Sequence, residues 1–106
     1  MKTAIIHLEV KPEKMSDFKS QWFKVNEEVK KEKGILNTFL LVHPQSGKAL
    51  SIGLWESEAD AKAFQSKPAY QKFVTESKDY FVKPPVREIY DMVGDVPEEL
   101  TKKKIA

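Results

Sequence analysis

The segment from residue 35 to residue 43, Ile-Leu-Asn-Thr-Phe-Leu-Leu-Val-His, is apolar on both sides of an extended chain. Side chains of a strand alternate between the two faces of a sheet. One face of this strand would present Leu36, Leu40 and Val42, and the other Ile35, Phe39 and Leu41. A single layer of helices covers one face of a sheet, so the second apolar face needs another partner. In a chain of 106 residues we expect that partner to be a second copy, which makes the protein a homodimer.

Composition excludes several classes of protein. A chain of 106 residues fits one domain with a single core. The sequence has no cysteine, so disulfides, thiolate metal sites and cysteine nucleophiles are excluded. The N-terminus lacks the pattern of a secretory signal, and no run approaches the roughly 18 apolar residues of a membrane span. We therefore expect a cytoplasmic protein with no membrane partner, and a net charge of +2 gives no reason to expect nucleic acid.

Hydrophobic periodicity divides the chain into seven elements. We predict a strand over 3–10, a helix over 12–33, a hairpin over 35–55, helices starting at Ser57 and Pro68, and a last strand over 86–93. This order is that of the split β-α-β, or ferredoxin-like, sandwich. The predicted class is α+β, with an antiparallel four-stranded sheet and helices on one face. One domain is expected over 1–94, followed by a polar C-terminal tail over 95–106.

Capping and helix-breaking residues set the predicted ends of the helices. Gly34 is predicted to end the first helix in a left-handed conformation. Ser57 is predicted to cap the second helix, with Asp60 returning the bond three residues later. Pro84 and Pro85 are predicted to stop the third helix.

The segment from Trp55 to Tyr70 resembles the antibiotic biosynthesis monooxygenase (ABM) domain. It reads Trp-Glu-Ser-Glu-Ala-Asp-Ala-Lys-Ala-Phe-Gln-Ser-Lys-Pro-Ala-Tyr, a strand end followed by an Ala-rich helix and then a second helix. The Pro-Pro pair before Val-Arg-Glu-Ile-Tyr in the last strand is similar too, so that the resemblance covers about residues 2–94. It implies a dimeric α/β barrel, in which two sheets pack face to face.

The same resemblance implies where chemistry would occur. The oxygenases of this family need no cofactor and act on phenolic or quinol-like molecules. They use an Asn and a Trp one turn apart on the helix after the Trp-Glu-Ser strand, and a Tyr further along the chain. The matching positions here hold Asp60, Phe64 and Tyr70, so two of the three depart from the pattern. Related haem-degrading enzymes need an Asn on the first strand and a His on the third helix, where this chain has His7 and Val74. The change at Val74 opposes haem degradation of that type.

Three residues are candidates for catalysis. His7 lies in the first strand, and an imidazole titrates near neutral pH, so it could deprotonate a phenol; the alternative is a histidine satisfied by structural hydrogen bonds. Asp60 could act as a base or as an acceptor, and its alternative role is the helix cap with Ser57. Tyr70 could donate a hydrogen bond to a substrate oxygen, or be a core tyrosine whose hydroxyl reaches the surface.

Four aromatic residues are candidates to line a substrate pocket between helices and sheet, and the alternative for all of them is simple core packing: Trp22, Phe39, Phe64 and Phe73. His43 closes its strand beside a turn and is read as a surface residue. Two histidines and no cysteine leave a transition-metal site without enough ligands, so no metal is expected.

Two functions remain open from the sequence. The first is a monooxygenase that acts without a cofactor on a small aromatic or quinol-like molecule. The second is a module of the same fold that binds a small apolar ligand or haem without turnover. The departures at Asp60, Phe64 and Val74 favour the second function.

Overall fold

The computed structural model describes residues 1–94. Its four strands are β1 (Lys2–Glu9), β2 (Ile35–Val42), β3 (Lys48–Trp55) and β4 (Val86–Asp91), and its α-helices are α1 (Met15–Val29), α2 (Glu58–Ala63) and α3 (Pro68–Ser77). Short 3-10 turns span Pro12–Lys14, Phe64–Ser66 and Lys78–Tyr80. The predicted polar tail, 95–106, lies outside the described residues. Within 1–94 no helix has the length and apolarity needed to cross a membrane.

The strands form one antiparallel sheet in the order β2-β3-β1-β4. Alternate residues of β1 are buried under the helices, among them Ile6 and Leu8. Helix α1 buries Phe18, Trp22 and Val25 at three- and four-residue steps, because these positions share one side of a helix. The chain therefore has the predicted α+β, ferredoxin-like fold, with its core between sheet and helices.

Two helices end earlier than the sequence predicts. Helix α1 stops at Val29, where backbone bonds change from the i−4 pattern at Lys30 to the i−3 pattern at Lys31. This tighter turn contains charged residues without an apolar side chain to hold it on the sheet. Gly34 does adopt a left-handed conformation, with φ of 86°, but in the turn before β2 and not at the helix end. Helix α3 stops at Ser77, well before the prolines.

A bulge in β2 corrects the predicted alternation of its first residues. Ile35 pairs with Trp55 and Asn37 pairs with Leu54, so two residues of β2 face one of β3. Ile35 therefore packs on the helix side of the sheet, against the cluster around Trp55. Simple alternation predicts that Ile35 lies on the opposite face. From Thr38 onward the predicted alternation is observed.

The face of the sheet opposite the helices, called the outer face below, is largely apolar. Cross-strand pairing places Phe39, Ile52 and Ile5 in one row across it, and Leu41, Leu50 and His7 in the next. Phe39 is 41% exposed and Leu41 is 52% exposed. The second apolar face predicted for residues 35–43 is thus present on the folded chain, with Phe39 and Leu41 exposed on it.

Candidate functional site

A cleft opens between the sheet and the helix layer, with about 530 Å³ of empty space including its mouth. Its walls are mostly apolar, and its polar groups are few. The aromatic lining comprises Trp22, Trp55, Phe64, Tyr70 and Phe73. The polar side chains are Asn26, Thr38, Ser51 and Arg87. A mostly apolar cleft with a few convergent polar groups is the usual form of a small-molecule site.

The floor of the cleft is built from the helix-facing side of three adjacent strands. Ser51 of β3 pairs with Ile6 of β1, and Ile6 pairs with Arg87 of β4, so one cross-strand row has a polar residue at each end. In the next row the positions on β3 and β1 hold the small residues Gly53 and Ala4. A Cβ atom on Gly53 would lie 2.9 Å from Nε1 of Trp55. The small residues therefore leave room for the aromatic walls to approach the sheet.

One side of the cleft is fixed by a bond between helix α1 and the sheet. Nε1 of Trp22 donates a hydrogen bond of 2.8 Å to Oγ of Ser51. This bond satisfies the indole nitrogen and places α1 over β3. Asn26 follows Trp22 by four residues, on the same side of the helix, and is only 8% exposed.

Arg87 forms the opposite side, beneath helix α2. Its Nη2 donates a hydrogen bond of 2.8 Å to the carbonyl oxygen of Ala61. The guanidinium carbon lies 5.6 Å from the ring centre of Tyr70, within range of a cation–π contact. Nη1 is buried and has no hydrogen-bond partner among residues 1–94. Burial lowers the pKa of Arg87, and the nearby Tyr70 partly opposes this effect.

Arg87 nevertheless stays charged, because a guanidinium is not deprotonated in proteins at ordinary pH. No carboxylate of the described residues lies within ion-pair distance of it. A half-buried charge without a counterion is unfavourable, and an anion in the cleft would relieve that cost. The arrangement therefore favours a ligand with a negatively charged or partly negative oxygen.

The predicted site residues divide into two groups. Trp22, Phe64, Tyr70 and Phe73 are brought together in the cleft, with ring centres of Phe64 and Tyr70 5.6 Å apart. Asp60 does not line the cleft, because its carboxylate lies against the backbone of Gly34. Its backbone N–H donates to Oγ of Ser57 at 3.1 Å, which confirms the serine half of the predicted cap.

His7 and Phe39 lie on the outer face, so the prediction that they belong to the same pocket needs correction. The strand alternation that buries Ile6 turns the neighbouring His7 away from the helices. Nε2 of His7 is 2.8 Å from Oε1 of Glu88, and the hydroxyl of Tyr90 donates to the same oxygen at 3.0 Å. Any chemistry of His7 would occur on that face and not in the cleft.

The N-terminal 76 residues match the sequence pattern of the antibiotic biosynthesis monooxygenase family, which is more than two thirds of the chain. The chain belongs to this family. The position at which the haem-degrading enzymes have a His is Val74 in this chain. Val74 is partly exposed and does not line the cleft. No functionally curated protein matches the chain.

Solved structures share the ABM fold at low sequence identity. A proposed antibiotic biosynthesis monooxygenase from Nitrosomonas europaea is 20% identical, with a TM-score of 0.79 over 89% of this chain and 100% of that one. A second, from Caulobacter crescentus, is 21% identical, with a TM-score of 0.78 over 88% and 90% of the two chains. A conserved protein from Methanosarcina mazei is 18% identical, with a TM-score of 0.76 over 84% and 89%. These similarities show the fold.

Sequence reasoning missed the polar residues of the ABM cleft. Arg87 is the only arginine of the chain, and alternation within the last strand assigns it to the same face as Ile89. That position was a usable signal, because a charged residue on the core-facing side of a strand is uncommon. Asn26 likewise falls on the apolar side of α1, four residues after Trp22. Ser51 offered no signal, since its role depends on the indole above it.

The described residues contain no group of three His, Asp or Glu side chains that could hold a metal ion. The cleft itself contains no carboxylate and no imidazole. What it offers chemically is one cation, a phenol hydroxyl, an amide and two aliphatic hydroxyls within aromatic walls. Such a set can bind and desolvate an aromatic molecule and stabilise negative charge on one of its oxygens.

Proposed function

We propose that this family member is a monooxygenase that needs no cofactor and oxidises a small aromatic, quinol-like molecule. The observation that supports this most is Arg87, which lines the cleft and whose buried Nη1 has no hydrogen-bond partner among the described residues. A phenol oxygen placed there would be stabilised as the phenolate. A phenolate is a better electron donor to dioxygen than the neutral phenol, so this one contact favours the first step of oxidation.

The reaction can be balanced without any other oxidant or reductant. For a dihydroxynaphthalene, C10H8O2 and O2 give the hydroxynaphthoquinone C10H6O3 and water. The ring carbon of the phenolate forms a bond to one oxygen atom, giving a hydroperoxide. The O–O bond then breaks, one oxygen stays on the ring carbon, and the other leaves as water with two hydrogens from the substrate. The substrate supplies all the electrons that reduce dioxygen.

Each residue of the cleft has a defined task in this proposal. Arg87 holds the ionised oxygen, and the hydroxyl of Tyr70, whose ring lies beside the guanidinium, can donate to the same oxygen. The aromatic walls around Phe64 and Phe73 exclude water from the ring. Because no carboxylate or imidazole lines the cleft, the phenol proton leaves to solvent through the open mouth.

Oxygen uptake with 1,4-dihydroxynaphthalene tests this function. We expect uptake of one O2 per hydroxynaphthoquinone formed, with one atom of labelled ¹⁸O2 in the product. Arg87→Leu should lower kcat/KM roughly 10- to 100-fold, because a hydrogen bond to a charged group contributes about 1.5–3 kcal/mol. Lys83→Met removes a positive charge outside the cleft and is the control. Uptake no faster than autoxidation without protein would reject the enzyme.

A binding module without turnover is the second candidate. It is supported by the departures at Asp60 and Phe64 from the residues that the ABM oxygenases use. The cleft could hold an anionic aromatic at Arg87 equally well without reaction. Binding of 1-naphthol or 1,4-dihydroxynaphthalene that Arg87→Leu weakens, together with no oxygen uptake, would establish this function. The place of Val74 on the surface opposes haem ligation there.

The chain functions as a homodimer in this proposal, with two outer faces packed together. The support is the apolar outer face, where Phe39, Leu41, Val86 and Tyr90 are each more than a third exposed. A patch of this kind rarely stays open to water on a single chain. Pairing of two outer faces would cover it and leave both clefts accessible, because each cleft lies on the opposite side of its sheet.

A further inference from the structure

Asn26 is a buried amide whose role the fold does not explain. It lies on the sheet-facing side of α1, is 8% exposed and lines the cleft. Among residues 1–94 its side chain forms no hydrogen bond, unlike the second asparagine, Asn37, which accepts from the backbone of Thr38. An amide that faces an apolar cleft without a protein partner gives up part of its hydrogen bonding to water. An apolar residue of similar size would pack at this position without that loss.

The position of Asn26 relative to Arg87 is set by two hydrogen bonds. Trp22 bonds to Ser51, which places this side of α1 over β3. Arg87 bonds to the carbonyl of Ala61, which places β4 beneath α2. The sheet order puts β1 between β3 and β4, so the two ends of the cleft floor are separated by two strand spacings, roughly 10 Å.

The floor between these ends is apolar. Ile6 occupies the central strand of the row that joins Ser51 to Arg87. An aromatic ring that lies over Ile6 would therefore have the guanidinium at one edge and the Asn26–Ser51 side at the other. Ser51 accepts from Trp22 and keeps its own O–H free to donate, whereas the amide of Asn26 forms no bond to residues 1–94 and offers both donors and an acceptor at that end.

We propose that Asn26 hydrogen-bonds a second oxygen of the substrate, at the opposite end of the ring from the oxygen held by Arg87. The cleft then selects aromatics with oxygens at two opposite positions over simple phenols. This rests on the proposed function of the cleft, and it names Asn26 as a residue that determines specificity. The amide can donate to a carbonyl or accept from a hydroxyl, so it suits both a quinol and its oxidised product.

Binding without oxygen tests the inference separately from turnover. The probes are 1,4-dihydroxynaphthalene and 1-naphthol, which differ by one hydroxyl, and the signal is quenching of Trp22 and Trp55 in the cleft. The wild type should bind the diol roughly 3- to 10-fold more tightly than the monophenol. In Asn26→Leu that preference should fall to below twofold, because the diol loses affinity relative to 1-naphthol. Asn37→Ala, the matched change outside the cleft, should keep the preference.

The outcomes separate the two proposals. A diol preference that disappears in Asn26→Leu supports the inference even if the protein consumes no oxygen, in which case only the monooxygenase fails. Equal wild-type affinity for the two probes, or a preference that Asn26→Leu retains, would overturn the role of Asn26. Asn26→Ala serves as a second variant with good helix propensity, and the far-ultraviolet circular dichroism of each variant shows that α1 has formed.

Discussion

The contact between Gly34 and Asp60, outside the cleft, offers a reason why this chain has Asp60 where the ABM oxygenases have an Asn. Gly34 has φ of 86°, a conformation that side chains with a Cβ adopt only with strain. A Cβ there would also lie 2.3 Å from Oδ2 of Asp60. The carboxylate of Asp60 therefore packs on the turn before β2, outside the cleft.

Replacement of Gly34 by alanine should lower the free energy of unfolding by about 1–3 kcal/mol, because it combines a left-handed backbone with a clash. Gly94→Ala is the control, since a Cβ at Gly94 meets nothing within 4 Å, and it should change stability by less than about 0.5 kcal/mol. Urea denaturation measures both. Equal stability of the two variants would contradict the role assigned to the turn.

At the scale of elements, helix α2 depends on its N-cap, Ser57, the residue just before the helix. It has only six residues, and Oγ of Ser57 accepts the N–H of Asp60 at its start. Ser57→Ala should lower the free energy of unfolding by about 1 kcal/mol through loss of this cap. Ser20→Ala, on the exposed side of α1, should be neutral or slightly stabilising because alanine favours helix. Thermal and urea denaturation compare the two, and a neutral Ser57→Ala would show that the cap is dispensable.

The ends of strands β1 and β4 are joined by an ion pair that titrates at acid pH. Lys2 donates to Asp91, and this hydrogen bond lowers the pKa of Asp91 below its ordinary 3.8. The pKa of Lys2 is raised by the same bond. A lowered carboxyl pKa stabilises the fold above the unfolded value, and that contribution is lost as the pH falls through the folded value.

Lys2→Met should therefore flatten the acid side of the stability curve. We expect the wild type to lose more free energy of unfolding than the variant between pH 5 and pH 2, with a small difference because both side chains are partly exposed. Urea denaturation at several pH values measures this, and Lys30→Met removes the same charge from the end of α1 as a control. Parallel curves for wild type and Lys2→Met would contradict the linkage.

At the scale of the whole molecule, the proposed homodimer depends on the outer face. Leu41→Glu places a charge in the centre of that face and should convert the dimer to a monomer at micromolar concentration, because the charge would be buried without a partner. Phe23→Glu is the matched control, since Phe23 is 62% exposed on the helix side. Sedimentation equilibrium measures both. A dimer that persists in Leu41→Glu, or a wild-type monomer, would reject pairing through the outer face.

The sequence predicted the fold well because strand and helix periods leave clear patterns. Alternation identified both faces of β2 from Thr38 onward, and the Trp-Glu-Ser segment indicated the family. The bulge at Ile35 was not predictable, since an inserted residue leaves the apolar composition unchanged. The cleft was only half predicted: aromatic spacing located Phe64 and Tyr70, while the polar residues depend on which strands become neighbours. The pairing of Ile6 with Arg87 joins residues 81 positions apart, and no local pattern encodes it.

The position of Arg87 on the last strand also determines when the cleft becomes complete. A ribosome delivers β1, both hairpin strands and all three helices before β4, so the aromatic walls can assemble while the cation is still absent. Until β4 docks against β1, the cleft of the nascent chain lacks the positive charge of Arg87. Under the proposed function, affinity for an anion would therefore arise only when folding is finished, and a molecule bound at Arg87 would hold the final strand in place against the rest of the sheet.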